Sequence, residues 1–225
     1  MTRAVVFGGR GALGSAIVAE LGADGWEVLV AGRQEAPGVD LVLDDGWAAR
    51  LAAPGKVNAV VWAQGINLKG SAPDVPAADM MAAFEANVVF ITDTISQLFA
   101  ADAIARPARG VVVSSVWQIA ARSERLAYVT SKSALGGLVP ALAADLADRG
   151  FSVNGVLPGV IDTPMTRAAL SVDQIERVEE DSLGGSLATP EDVGRAVAWL
   201  SHPRAAGINA QWIAVDNGWA SVRRV

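Results

Sequence analysis

Tyr128 and Lys132 stand four residues apart, and Ser115 lies thirteen residues before the tyrosine. On a helix, residues i and i+4 share a face, which makes the phenol and the ammonium neighbours. A cation there favours the phenolate and is expected to pull the tyrosine pKa down from about 10. A phenol tuned in this way passes a proton to or from a carbonyl or alcohol oxygen. Ser115 ends the run Gly110-Val-Val-Val-Ser-Ser115, whose β-branched residues read as a buried strand. At the carboxyl end of that strand its hydroxyl is placed to hold the same oxygen by a hydrogen bond. A bare Tyr-x-x-x-Lys also arises by chance on amphipathic helix surfaces, so its meaning depends on the elements around it.

The first of those elements opens the chain. Ala4 to Phe7 reads as a short buried strand, followed by Gly8-Gly-Arg-Gly-Ala-Leu-Gly14 and a helix from about Ala12 to Ala23. Gly8, Gly11 and Gly14 allow a tight turn and close backbone approach to a pyrophosphate, and the helix presents free N–H groups and a positive dipole end to it. A second strand, Glu27 to Ala31, ends in Gly32-Arg33. In a dinucleotide fold this position meets the adenosine ribose. A carboxylate there would select the 2′-hydroxyl of NAD. Gly32 instead clears space and Arg33 offers a planar fork suited to a 2′-phosphate, with Arg10 in reach to assist. The expected cofactor is therefore NADP(H).

Only about seven residues link Arg33 to a third strand, Asp40 to Leu43, too few for a normal crossover helix. Asp44 either accepts from the adenine amine or, with Asp45, caps a helix over 46–53. A fourth strand, Lys56 to Ala63, runs into Gln64-Gly65, where the glycine again permits close approach to a ligand. Residues 74–105 read as helical in two pieces around Asn87. As a poor mid-helix residue among apolar neighbours, Asn87 implies a buried amide with a specific partner, in a kink, a packing contact or the site. A helix over about 123–149 carries Tyr128 and Lys132. The sixth strand, Phe151 to Leu157, leads through Pro158-Gly159 to Thr163, placed to hydrogen-bond a ligand. Residues 165–187 read as a mobile lid whose apolar side (Met165, Leu170, Ile175, Val178, Leu183) faces substrate. Its carboxylates read as a solvated face, with no metal site. Thr189-Pro190 opens a helix to about Ser201, His202 is a cap or surface residue, and Ala210 to Val215 is the last strand.

The alternation has no long linker or repeat. It predicts one α/β domain over residues 1–225: a single-domain Rossmann fold with a seven-stranded parallel sheet in order 3-2-1-4-5-6-7 and helices on both faces. Gly8 to Gly14, Arg33, Gly65, Ser115 and Thr163 then all fall at the carboxyl ends of the strands. The chain has 225 residues, long enough to bury about three quarters of its unfolded surface. A net charge of -6 argues against nucleic-acid partners, and the one basic run is Arg223-Arg224. No cysteine is present, which removes disulfides, thiolate catalysis and cysteine-ligated metals. No apolar run approaches the roughly 18 to 20 residues of a membrane span, so the expectation is a soluble cytoplasmic protein without a membrane partner.

Taken together, Gly8–Gly14, Asn87, Ser115, Tyr128-Val-Thr-Ser-Lys132, Pro158-Gly159 to Thr163 and Val215-Asp-Asn-Gly218 resemble the short-chain dehydrogenase/reductase family over nearly the whole chain. The resemblance implies hydride exchange between NADP(H) and a ketone or secondary alcohol. It makes Tyr128 the general acid/base, Ser115 the holder of the reacting oxygen and Lys132 the partner of both the phenol and the nicotinamide ribose. It makes Asn87 the holder of a relay water. It sets Thr163 and the Ile161 backbone against the carboxamide, and adds Leu13, Pro158 and Gly159 to the cofactor contacts. It also implies a homodimer or homotetramer joined through the helices of Asn87 and Tyr128. Phe7, Ala12 and Trp62-Ala63-Gln64-Gly65 depart from the usual family pattern, and the opening loop also resembles dihydropteridine reductases. The same fold hosts dehydratases, epimerases and non-catalytic NADPH sensors. Trp117, Gln118, Ile119 and Val160 are pocket candidates and suggest a medium-sized, partly apolar carbonyl substrate.

Overall fold

Short β-branched runs alternate with alanine-rich segments, and the runs form a parallel sheet because all connections but the one from the second strand to the third are long enough for a full crossover to the same end. The computed structural model describes residues 2–222, so the Arg223-Arg224 pair lies outside the described residues. Among these, seven strands form one sheet in the order β3-β2-β1-β4-β5-β6-β7, every pairing parallel. The strands are β1 (Arg3–Phe7), β2 (Glu27–Gly32), β3 (Leu41–Val42), β4 (Val57–Trp62), β5 (Ile104–Val113), β6 (Phe151–Pro158) and β7 (Trp212–Val215).

Central strands apolar on both faces are what a sheet covered on two sides requires. Side chains alternate along each strand. Val5, Phe7, Val60, Trp62 and Val112 enter one core. It is closed by α2 (Trp47–Ala52), α4 (Phe90–Ala100) and α5 (Leu126–Leu146). Ala4, Val6, Ala59, Val61 and Val111 enter the other core, closed by α1 (Ala12–Ala23) and α8 (Pro190–Ser201). Phe7 stacks on Trp62 and meets Trp47 and Phe90 edge-on, which pins the carboxyl ends of β1 and β4 where a ligand crevice forms.

The link from β2 to β3 is abbreviated, as its length predicts. The Asp40 carboxylate accepts from the Val30 amide at 2.8 Å and extends the short β2–β3 ladder. Two expectations are corrected. Helix does not continue to residue 105: α3 (Ala77–Phe84), a π-helical turn (Glu85–Val89) and α4 end at Ala100, and Ile104 already begins β5. The Val57 amide donates to Ala103, so pairing with β4 outweighs the helical propensity of the alanines. Asp44 does not cap α2 either. The cap residue is Gly46, and the Asp44 carboxylate pairs with Arg50 at 2.7 Å.

The 165–187 segment contains α6 (Pro164–Ala169) and α7 (Val172–Asp181). Of its expected apolar face, Ile175 is buried, while Met165 is 78 % and Leu183 51 % exposed. The expected cap at Thr189 is a reciprocal one. Thr189 accepts from the Asp192 amide at 3.2 Å, and the Asp192 carboxylate accepts from the Thr189 amide at 2.8 Å. These bonds hold the Asp192 carboxyl below its ordinary value. His202 is a cap, its Nδ1 accepting from the Arg204 amide. Among the described residues no helix is long and apolar enough to cross a membrane. Thr189→Ala is expected to cost about 1 kcal/mol, read as a lower urea midpoint at unchanged slope.

Candidate active site

Ser115 follows β5 and opens a 3₁₀ turn, Val116–Gln118, accepting from the Trp117 amide at 3.3 Å. Tyr128 sits in the first turn of α5, and its phenol is hydrogen-bonded to Ser115. Lys132, one turn on, is buried; its Nζ donates to the Val113 carbonyl at 3.0 Å and lies 5.8 Å from the centre of the Tyr128 ring. Serine, tyrosine and lysine therefore converge, as their spacing predicts.

Their electrostatics differ from the expectation. Burial pushes the Tyr128 phenol up, and the Ser115 hydrogen bond only partly opposes this. Lys132 does not reverse that balance. With the Val113 carbonyl as its hydrogen-bond acceptor it is itself lowered by burial, to about 8. The phenol in this state is a proton donor at neutral pH.

Asn87 is 1 % exposed in the π-helical turn. Its Oδ1 accepts from the Ile66 amide at 2.9 Å, and its Nδ2 donates to the Ile66 carbonyl at 3.1 Å and to Ser131 Oγ at 2.8 Å. The buried amide with specific partners is thus present, and both of its hydrogens are engaged. Gly65 has a concrete reason to be glycine: a Cβ there would lie 2.7 Å from Asn87 Oδ1 and 3.6 Å from Lys132 Nζ. The loop after β4 is thereby laid directly against two of the site residues.

Next to this cluster opens a cavity of about 470 Å³, walled by Gly8, Arg10, Gly32, Arg33, Gln64 and Gly65 among others. Gly8 has φ +78°, and a Cβ on it would lie 2.6 Å from the Gln64 amide nitrogen. A Cβ on Gly14 would collide with the Gly8 carbonyl, so the glycine spacing seats α1 on the loop. Gly11 is the N-cap of α1 and no side chain caps that end, which leaves first-turn amides for an anion. Arg33 lies over the Phe90 ring, 5.3 Å from its centre, holding a guanidinium at the cavity rim. Gln64, another wall residue, has its Oε1 buried without a hydrogen-bond partner, an acceptor left open in the folded chain. A backbone cradle, a cationic rim and an orphan acceptor fit a dinucleotide.

The remaining predicted contact residues have the following surroundings within the chain. Leu13 packs beside the α1–α8 core, and Asp44 lines a neighbouring hollow with Asp93 and Gln97. Thr163 caps α6, accepting from the Thr166 amide at 3.1 Å. Gly159 follows Pro158, the last residue of β6, and is packed on Asp216, where a Cβ would come within 2.6 Å. Ile161 bridges to Ala188. Gly9 and Phe90 of the cavity wall and Ser131 were not picked out from the sequence. Ser131 had a signal, since it sits three residues from Tyr128 and so on the same helix face.

Residues 43–220 match the family described as Enoyl-(Acyl carrier protein) reductase. The chain is 31 % identical to an acetoacetyl-CoA reductase of Cupriavidus necator, over 88 % of this chain and 89 % of that protein. It is 29 % identical to a 7alpha-hydroxysteroid dehydrogenase of Escherichia coli, over 68 % and 61 % respectively. Several of the curated relatives are matched over less than two thirds of their own length. A solved oxidoreductase of the short-chain dehydrogenase/reductase family from Burkholderia thailandensis superposes with a TM-score of 0.87, at 25 % identity over 99 % of this chain and 94 % of that one. A serine, tyrosine and lysine converging beside a glycine-walled cavity, on a sheet of this order, agree with those matches: the chain belongs to the short-chain dehydrogenase/reductase family.

Proposed function

We propose that this chain is an NADPH-dependent oxidoreductase that interconverts a ketone and a secondary alcohol. The observation that carries the reading is the Tyr128 ring 5.8 Å from the buried Lys132 ammonium, with Lys132 against Gly65 at the wall of the cavity; burial raises the phenol pKa, which favours the proton-bearing form. In the reducing direction Ser115 holds the carbonyl oxygen and Tyr128 donates its proton to it; a nicotinamide held in the cavity would supply the hydride that the carbon needs. Lys132, buried and lowered to about 8, would be the residue that meets the ribose hydroxyls of a bound cofactor, and its ammonium would stabilise the phenolate left on Tyr128. In the oxidising direction Ser115 and Tyr128 act in reverse order. The names of the matched relatives, a thioester-ketone reductase and a hydroxysteroid dehydrogenase, support chemistry at a hydroxyl or carbonyl.

Preference for NADPH rests on Arg33. Its guanidinium is stacked on Phe90, next to Gly32 at the cavity wall, and Arg10 stands across the same cavity. Substrate preference rests on Trp117, two residues after Ser115, whose ring meets Trp219 edge-on with centres 5.4 Å apart. The Asp216 carboxylate holds the turn behind Trp219 by accepting from the Gly218 and Ala220 amides. An aromatic wall there suits a medium-sized, partly apolar carbonyl compound. Exposed Met81 and Val89, flanking Asn87 on the helical segment, support self-association.

Three measurements test this reading. Tyr128→Phe is expected to lower turnover of NADPH with ketones about 10²- to 10⁴-fold while NADPH fluorescence titration changes little; near-normal turnover would remove Tyr128 from its role. Arg33→Asp is expected to raise the KM for NADPH at least about tenfold and to lower that for NADH, since a carboxylate there accepts from the 2′-hydroxyl. Trp219→Ala is expected to raise KM for bulky apolar ketones several-fold more than for small ones, in a panel of keto-acyl thioesters, cyclic ketones and short-chain ketones.

A further inference from the structure

Ser131 is fully buried in α5, between Tyr128 and Lys132 in sequence. Its Oγ donates to the Tyr128 carbonyl at 2.9 Å and accepts from Asn87 Nδ2 at 2.8 Å. Asn87 in turn clamps the amide and the carbonyl of Ile66. Ile66 and Gly65 both line the cavity of about 470 Å³. One hydroxyl therefore completes a chain of four hydrogen bonds running from the first turn of α5, through the π-helical turn, to the cavity floor. Two features make that link consequential. Both Nδ2 hydrogens of Asn87 are engaged, so loss of the serine oxygen leaves a buried N–H without an acceptor. Gly65 lies against Asn87 Oδ1 with no room for a methyl group, so any tilt of the amide moves the loop beside Lys132.

We propose that Ser131 is a positioning residue, which acts through Asn87 to fix the Gly65–Ile66 loop against the helix turn that carries Tyr128. The proposal rests on the oxidoreductase reading for its catalytic consequence. Its structural consequence stands independently of that reading and is measured on the cofactor-free chain. The Ile66 amide, whose acceptor is Asn87 Oδ1 at 2.9 Å, reports on the clamp.

In Ser131→Ala, hydrogen exchange at Ile66 is expected to quicken about tenfold, with protection of the central strands unchanged. Ser131→Thr, which keeps the hydroxyl, is expected to restore most of it. In ketone reduction, Ser131→Ala is expected to lower kcat about tenfold with KM for substrate little changed. In an Asn87→Ala background the same substitution is expected to add almost nothing, because its route of action is already gone. Unchanged exchange at Ile66, faster exchange spread evenly over the sheet, failure of Ser131→Ala to fold, or full additivity with Asn87→Ala would each overturn the proposal. Altered exchange at Ile66 in a chain that reduces no ketone would keep the clamp and refute the oxidoreductase reading instead.

Discussion

A lysine ammonium held almost out of water is the costly feature around which this site is built. Lys132 donates to the Val113 carbonyl at 3.0 Å, and its pKa falls to about 8. Desolvation of a cation is compensated only by a close partner, and a neutral carbonyl is a weak one. The neighbouring groups are arranged around the same low-dielectric volume. It keeps the Tyr128 proton in place and requires Asn87 to find a partner for each of its amide hydrogens. The polar atoms of the site are thus ordered before any ligand arrives, which limits the reorganisation a transition state would demand.

The sheet makes such a volume possible. β4 and β5 pair in parallel, Val61 opposite Val111 and Trp62 opposite Val112, so their carboxyl ends emerge together. The loops that follow, Gln64–Ile66 and Ser114–Gln118, become neighbours of α5. Glycine at 65 and a π-helical turn at 85–89 let backbone and helix approach more closely than ordinary geometry permits. Aromatic packing of Phe7, Trp62 and Phe90 fixes that end of the sheet and places Phe90 beneath Arg33. The same ring serves the core on one side and the cavity rim on the other.

Two features show where local reading and tertiary context part. The run Ala100-Ala101-Asp102-Ala103 carries helical propensity, yet Asp102 adopts φ +49° and Ala103 accepts from Val57. A carboxylate before a short helix suggests a cap, yet Asp44 reaches forward to Arg50. In both cases the residue type was read correctly, and a competing partner set by the folded chain took it.

The sequence alone determined the strand order, the two-sided core and the meeting of Ser115, Tyr128 and Lys132 at one end of the sheet, because alternation of apolar runs, glycine spacing and the Ser–Tyr–Lys interval are local patterns that the parallel topology must bring together. Tertiary structure decided the protonation balance of Tyr128 and Lys132, the orientation of the Asn87 amide and the part of Ser131. Those depend on desolvation and on hydrogen-bond partners as much as 44 positions apart, and neither quantity is carried by a residue's near neighbours in the chain.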